Sequence, residues 1–161
     1  MTLNAAIELA SHRGARRLPL NEFLTGPRQT ACAPDELVTA VYVPSDAEMG
    51  VGGFEKLGAR RYLVISIAMT AARLSIADGR IGDAAISVGA CAPVAVRLTE
   101  LEAGLRGMAY DMAGDFIRDS RSGIMAALSP IDDVRGTAGY RRDAAAEIVA
   151  RLVERLCGEF G

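Results

Sequence analysis

One dipeptide, Asp78-Gly79, constrains the fold of this chain more strongly than any other feature of the sequence. It joins two β-rich runs, Val64–Ile76 and Arg80–Ala90. Asp-Gly is a favoured pair in a type I′ turn, because both central residues of that turn need a positive φ angle. Both runs are apolar on much of both faces, which is typical of a sheet that helices cover on one side. The pattern therefore predicts an antiparallel β-hairpin inside a covered sheet.

Shorter extended segments precede this hairpin. Glycine, proline and polar residues divide them, as expected of turns and connections. We predict strands at Ala5–Ala10, up to Arg17-Leu18 and at Glu36–Val43, a helical turn at Leu20–Leu24, a loop over Thr25–Pro34 and a flexible connector at Gly50–Gly53.

Three helical patterns follow the hairpin, at Arg97–Leu105, Ala109–Ser120 and about Ala138–Cys157. In each of them apolar residues recur at three- and four-residue spacing, which is typical of amphipathic helices. Strands first and helices afterwards predict the α+β class, with an antiparallel β-sheet and three helices packed on one face. The length of 161 residues fits a single domain.

Charge and hydropathy exclude several classes of function. A net charge of −2 is too small to indicate nucleic acid or an anionic membrane as the partner. No apolar run reaches the roughly 18 residues needed to cross a bilayer, and the first residues lack the features of a signal peptide. We therefore expect a cytoplasmic protein.

Residues that could carry out chemistry are few. Cys32, Cys91 and Cys157 lie far apart and form no C-x-x-C pair, so the chain alone predicts neither a zinc site nor an iron–sulfur cluster. We expect them to be small buried hydrophobic residues, and His12, the only histidine, to be a surface residue. Gly50–Gly53 fits neither a dinucleotide-binding fingerprint nor a Walker A loop. The sequence thus predicts no self-contained catalytic site.

Charged residues cluster before the last predicted helix. Asp132 and Asp133 are adjacent, so they would point in different directions and make a poor acid–base pair. Arg135, Arg141 and Arg142 lie close to the start of that helix, where the macrodipole disfavours positive charge. We therefore expect these arginines to pair with Asp132 or Asp133, and a role in an interface or in ligand binding stays open.

Five stretches of the chain, in register along nearly its whole length, together resemble one family. They are Leu18–Thr30, Pro34–Pro44, Phe54–Arg61, Ser87–Arg97 and Pro130–Arg142. The family is that of the FAD-binding medium subunit of the molybdenum hydroxylases, which include xanthine dehydrogenase and carbon monoxide dehydrogenase. The chain resembles only the C-terminal part of that subunit. The glycine-rich segments that hold the FAD pyrophosphate in the family have no counterpart in the sequence.

The resemblance implies a division of the chain and a function. Residues 1–30 would be the tail of an FAD-binding domain whose N-terminal part is absent. Residues 31–161 would be the C-terminal α+β domain, similar to that of the carbon monoxide dehydrogenase flavoprotein. This chain would help to form a flavin site that passes electrons from molybdenum and iron–sulfur centres to an acceptor. FAD would be the cofactor in a shared site, and a molybdopterin-binding large subunit and an iron–sulfur small subunit would be the partners.

The resemblance also implies roles for two residues. In the family, the lysine after the aromatic residue of an F-x-K motif contacts the flavin, and it corresponds to Lys56. A cation there would stabilise negative charge on the reduced flavin. Lys56 is also the only lysine among 18 basic residues. An aliphatic residue that packs near the ring corresponds to Val38. An ordinary surface lysine and an ordinary sheet-core valine remain open alternatives.

Two functions remain open at this point. The chain is either a working part of the flavoprotein subunit or a non-catalytic subunit-interaction module, whether a split-gene product or a truncated remnant, that does not bind FAD by itself. In the second case an N-terminal FAD-domain polypeptide would be a further partner. A domain without its covering half should expose an apolar face, and such faces self-associate, so a homodimer is also expected.

Overall fold

The computed structural model describes residues 1–60 and 63–160 of the chain. The strands are β1 Ala6–Ser11, β2 Gly14–Pro19, β3 Leu24–Gly26, β4 Gln29–Thr30, β5 Leu37–Tyr42, β6 Val51–Gly58, β7 Ser66–Ala77, β8 Arg80–Gly89 and β9 Val96–Arg97. The helices are α1 Leu20–Phe23, α2 Thr99–Leu105, α3 Ala113–Asp119, α4 Arg121–Ala126 and α5 Ala138–Gly158. The predicted α+β class is confirmed.

The first sheet is small and antiparallel, with the strand order β2-β1-β5. Ile7 and Leu9 of the central strand form a small core with Phe23 of α1. The other face carries a polar cluster, in which Glu8 accepts hydrogen bonds from Thr39 Oγ1 and Tyr42 Oη, both at 2.9 Å. Because β5 pairs with β1, the first sheet extends beyond residue 30, where the sequence predicts the division of the chain.

The second sheet contains the predicted hairpin. Its order is β6-β7-β8-β9, and all neighbouring strands are antiparallel. Asp78 and Gly79 adopt φ angles of 51° and 72°, the positive values that a type I′ turn requires at both positions. The predicted hairpin is therefore confirmed. One face of this sheet contributes to the main core through Leu74, Ile81 and Ile86, none of which is exposed.

The later helices cover that face of the second sheet. The helix α5 packs on β6 and β7, α2 packs on β8, and α3 and α4 pack against α5. The side chain of Thr137 caps α5 by accepting a hydrogen bond from the Tyr140 amide at 3.2 Å. Among the described residues four helices follow the hairpin instead of the predicted three, because Arg121–Ala126 forms a separate short helix. None of the described helices combines the length and apolar character needed to cross a membrane.

Two regions predicted to be irregular are strands. The predicted connector Gly50–Gly53 leads directly into β6, and Gly53 lies under α5, where a Cβ would come within 2.7 Å of Leu152 Cδ1. Glycine is needed there because the helix packs closely on the strand, so the prediction of a flexible connector is wrong. The predicted loop Thr25–Pro34 contains most of the short β3–β4 pair.

Two arginines of the second sheet bind both ends of the N-terminal segment, by which we mean residues 1–49. Arg97 Nη1 donates to the carbonyl oxygen of Met1 and to Asn4 Oδ1, both at 2.8 Å. Arg73, which is only 5% exposed, donates to the carbonyl oxygen of Met49 at 3.2 Å. These hydrogen bonds attach the start and the end of the N-terminal segment to the second sheet, in addition to the connecting backbone.

Candidate functional site

Lys56 lies on β6, an edge strand of the second sheet. Side chains alternate along a strand, and Glu55 faces α5, with its Oε1 3.6 Å from Arg155 Nε. Phe54 and Lys56 therefore lie on the opposite face, where Phe54 is 57% exposed. Lys56 Nζ donates a hydrogen bond to the carbonyl oxygen of Val64 at 2.8 Å. This bond uses one of the three donors of the ammonium group, so Lys56 is positioned and can bind a further acceptor.

The cross-strand neighbours of Lys56 line a cavity. Lys56 pairs with Met69 of β7, and Met69 pairs with Gly89 of β8. Gly89 provides space for the methionine, because a Cβ there would come within 2.5 Å of Met69 Cε. The adjoining cavity has a volume of about 510 Å³, and its lining includes Pro27, Met69, Gly89, Pro93, Ile131 and Arg141. Lys56 itself does not line this cavity, but its strand neighbour Met69 does.

Two arginines at this cavity already have partners. Arg141 is 1% exposed, and its Nη1 lies 3.4 Å from Asp133 Oδ2. It also donates to the carbonyl oxygens of Ile67, Ala90 and Ile131. Hydrogen bonds from Arg135 to Asp133 lower the pKa of that carboxyl group to about 2. The predicted pairing of Arg135 and Arg141 with Asp133 is confirmed, and it accounts for both charges without a ligand.

Val38 lies on β5, in the first sheet. It pairs with Leu9 of β1, and its side chain is 51% exposed. Lys56 lies on the second sheet, so the structure does not bring the two predicted site residues onto one surface of a single sheet. Each is exposed at an edge strand, and the role of each stays a prediction.

The histidine and two of the cysteines take the positions that the sequence predicts. The His12 side chain is 78% exposed, with its Nδ1 3.7 Å from Asp35 Oδ2. Cys91 and Cys157 are buried, and burial raises the pKa of both thiols. Cys32 is only half-buried. Within residues 1–60 and 63–160, no group of three or more His, Cys, Asp or Glu side chains is placed to hold a metal ion.

Sequence reasoning missed the two arginines that attach the N-terminal segment to the second sheet. Arg73 did leave a signal, because a charged residue inside an apolar strand must find partners when it is buried. It pairs with Asp83 at 2.6 Å. Arg97 left no such signal, because its carboxylate partner Glu102 and the carbonyl group of Met1 approach it only in the folded chain. The contribution of Met69 to the cavity likewise depends on strand register.

Two family models match the chain, one after the other. The FAD binding domain in molybdopterin dehydrogenase matches residues 1–46, and the CO dehydrogenase flavoprotein C-terminal domain matches residues 54–156. The chain is 32% identical over 154 residues to the nicotine 6-hydroxylase medium subunit of Paenarthrobacter nicotinovorans, covering 95% of this chain and 52% of that one. It is 30% identical over 154 residues to the carbon monoxide dehydrogenase medium chain of Afipia carboxidovorans, with the same two coverages of 95% and 52%.

Solved structures agree with these matches. Reconstituted CO dehydrogenase from Oligotropha carboxidovorans superposes with a TM-score of 0.85 at 30% identity, covering 98% of this chain and 54% of that chain. The chain thus spans about half the length of the curated relatives it matches. FAD is the cofactor of the family that these matches define. Because the flavoprotein C-terminal match alone covers more than half of the sequence, the chain belongs to the family of FAD-binding medium subunits of the molybdenum hydroxylases.

Proposed function

We propose that this chain helps to form the flavin site of a molybdenum-containing hydroxylase or dehydrogenase, through which electrons pass from molybdenum and iron–sulfur centres to an acceptor. The observation that carries the proposal is the succession of an FAD-binding-domain match and a flavoprotein C-terminal match along one chain. Its partners would be a molybdopterin-binding large subunit and an iron–sulfur small subunit, in the cytoplasm. The names of its relatives as medium subunits or medium chains support such an assembly.

Three exposed side chains suit contact with a flavin ring. Lys56 has donors left for an anionic oxygen atom, and Phe54 on the same face offers an apolar surface. Val38, on the other sheet, offers a second apolar contact. When bound, FAD would supply the redox chemistry by accepting and returning electrons. The lysine would stabilise negative charge that develops on the reduced ring.

The residues present fit the ring of FAD better than its pyrophosphate. Pyrophosphate groups are commonly held by the backbone amides of a glycine-rich turn at the N-terminus of a helix. The segment 50–53 is not such a turn, because it runs into β6 and places Gly53 against Leu152 and Leu156 of α5. We therefore expect the 161-residue chain, taken by itself, not to retain FAD.

The alternative is a non-catalytic module that joins subunits without contributing to the flavin site. The chain covers only about half of each of these relatives, and this is the observation that supports the alternative. Under either function the chain would meet the half of the subunit that it does not span. The two functions predict different roles for Lys56. It affects flavin chemistry only if the chain helps to form the flavin site.

The division of the chain at residue 30 stays a prediction, and we propose to move it. Pairing of β5 with β1 supports a boundary after Tyr42, and the stretch between the two family matches, residues 47–53, supports the same region. Limited proteolysis would test the choice. Cleavage confined to residues 43–50 supports the later boundary, whereas cleavage at residues 30–36 supports the earlier one.

Reconstitution tests the proposed function. The chain would be combined with the half of the nicotine 6-hydroxylase medium subunit that it does not match, and FAD would be added. The proposal predicts that the mixture, and not the chain alone, retains FAD after gel filtration and shows the flavin absorption spectrum. A stable complex that never retains FAD would instead support the subunit-interaction module.

A further inference from the structure

The guanidinium group of Arg97 is held in one orientation by Glu102 of α2. Arg97 Nε and Nη2 donate to the two carboxylate oxygens of Glu102, at 2.7 Å and 2.8 Å. The Glu102 side chain is 4% exposed, and it also accepts a hydrogen bond from the Ile86 amide at 2.7 Å. A bidentate pair of this kind fixes the plane of the guanidinium group. Its third nitrogen, Nη1, therefore points in one defined direction.

That direction is toward the start of the N-terminal segment. Arg97 Nη1 donates to the carbonyl oxygen of Met1 and to Asn4 Oδ1, both at 2.8 Å. Asn4 adopts a φ angle of 48°, in the left-handed region that asparagine tolerates better than most residues. Strand β1 begins two residues later, at Ala6. Arg97 thus fixes the residues that lead directly into β1.

Strand β1 connects this attachment to Val38, because it is the central strand of the first sheet. Leu9 of β1 pairs with Val38 of β5. At the other end of the N-terminal segment, Arg73 donates to the carbonyl oxygen of Met49 at 3.2 Å, and the backbone then continues into β6, the strand of Lys56. Two separated points of attachment define the orientation of the first sheet, whereas a single point would let it rotate.

We propose that Arg97 is a positioning residue of the flavin site, because it sets the placement of the sheet that carries Val38 relative to the sheet that carries Lys56. This inference rests on the proposed function. The two proposed flavin contacts lie on different sheets, so their separation depends on how the N-terminal segment is attached to the second sheet. Arg97 acts through Asn4 and β1. A small displacement of a positioned group has a large effect on the site that it serves.

Asn4 offers a more selective substitution than Arg97 itself. Arg97→Met would also leave the Glu102 carboxylate buried without its cation, which destabilises the fold. Asn4→Gly removes the acceptor Oδ1, keeps the pair of Arg97 with Glu102 and suits the positive φ angle. Asn4→Asp keeps an acceptor oxygen and is the conservative variant. Arg80→Met is the matched control, because Arg80 Nη1 donates to the carbonyl oxygen of Gly107 at 2.7 Å, away from the N-terminal segment.

Spin labels on the chain alone can measure the placement of the first sheet. One label would be attached at His12→Cys, in the turn between β1 and β2, where the native side chain is 78% exposed. The other would be attached at Arg151→Cys, on the exposed side of α5. Cys32→Ser removes the half-buried thiol, whereas Cys91 and Cys157 are buried. Electron–electron double resonance then gives the distribution of distances between the two labels.

The inference predicts which variants change this distribution. Asn4→Gly should broaden it at least about twofold, because more orientations of the first sheet become populated. Asn4→Asp and Arg80→Met should leave it as in the unmodified chain. An unchanged distribution in Asn4→Gly would overturn the inference, and so would equal broadening in Arg80→Met.

Bound flavin gives the second readout. The same variants would be combined with the half of the nicotine 6-hydroxylase medium subunit that the chain does not match, with FAD at saturating concentration. Asn4→Gly should weaken FAD binding at least about fivefold and change the visible circular dichroism of the bound flavin. Asn4→Asp should restore both. A variant that only loses stability would keep the flavin signal once it is folded and saturated, so an unchanged signal in Asn4→Gly would overturn the positioning role.

The two readouts separate this inference from the proposed function. If the unmodified complex retains no FAD, the proposed function fails, and the distances between the labels still decide whether Arg97 sets the placement of the first sheet. If FAD is retained and Asn4→Gly changes neither readout, the proposed function stands and the inference is wrong.

Discussion

The two antiparallel sheets of this chain are covered to very different extents. The second sheet packs under α5 and α2, and residues such as Leu74, Ile86 and Leu152 are completely buried. In the first sheet, β1 is buried through Leu9, but β5 exposes both of its faces. One sheet thus has a complete core, whereas the other has a small core and an uncovered apolar edge.

This difference indicates which part of the chain has a complete core of its own and which part leaves apolar surface exposed to solvent. A core that is closed on its own can fold independently of partners, because its apolar surface is already removed from water. An apolar edge strand gains stability only when something covers it. We infer that the second sheet with its covering helices, residues 51–158, is the stable scaffold, and that the first sheet, residues 6–42, is less stable because β5 leaves apolar side chains exposed.

The largest expected effect is at Arg141, the buried arginine of α5. Arg141→Met would remove the guanidinium donor from the carbonyl groups of Ile67, Ala90 and Ile131 and leave Asp133 without its buried cation, and we expect a loss of about 3–5 kcal/mol in the free energy of unfolding. Urea denaturation measures it, with Arg151→Met on the exposed side of α5 as the control. A loss below about 1 kcal/mol would mean that Arg141 does not hold these loops together.

The core of the first sheet should respond differently. Leu9→Ala removes the most buried side chain of that sheet, and we expect a loss of about 2–3 kcal/mol, near the low end for such a change because the small core can relax. Amide exchange should accelerate across residues 6–42 and remain slow in α5. Equal acceleration in residues 6–42 and in α5 would contradict the difference in stability between the two sheets, since it would show that they unfold together.

The junction between the sheets should show a smaller effect. Gly50 has a φ angle of 89°, and a Cβ there would come within 2.0 Å of the Leu74 carbonyl oxygen. Gly50→Ala should therefore lower the free energy of unfolding by about 2 kcal/mol. Gly14→Ala, at a turn with a φ angle of 127° and no atom within 4 Å of the new Cβ, should cost less. Thermal unfolding of the two variants measures both losses of stability. Equal losses would show that close packing at Gly50 does not contribute to stability.

The smallest expected effect is a dependence on pH. Hydrogen bonds from Arg16 and from the amide of Ala33 lower the pKa of Glu36 from 4.5 to about 2. Because the folded pKa is the lower one, this contribution to stability is complete above about pH 4.5 and is lost as the pH falls toward 2. Glu36→Gln should flatten the dependence of the free energy of unfolding on pH in that window. An unchanged slope for Glu36→Gln would contradict the assignment.

Local patterns predicted most of the scaffold. The Asp78-Gly79 turn follows from backbone sterics alone, and the periodicity of α5 follows from one buried helix face, so both are visible in the sequence. The strand character of Gly53 is not visible, because it depends on how closely α5 approaches β6. Ser120, which separates α3 from α4, likewise resembles a residue inside a continuous helical pattern.

The candidate site was only partly predictable. Lys56 could be identified because it is the only lysine and follows Phe54 in a recognisable motif. Its hydrogen bond to Val64 and its neighbour Met69 depend on strand register and on a loop conformation. The exposure of Val38 depends on the absence of a neighbouring strand among the described residues, which no local pattern reveals.

The most direct test of the central claim is the rate of flavin reduction in the reconstituted complex with Lys56→Ala. The account predicts that the variant folds and assembles normally but reduces its flavin at least about tenfold more slowly, because a positioned cation no longer stabilises the reduced ring. Arg151→Ala serves as the control for loss of an exposed charge. If Lys56→Ala reduces its flavin at the unmodified rate, this chain does not contribute Lys56 to the flavin site.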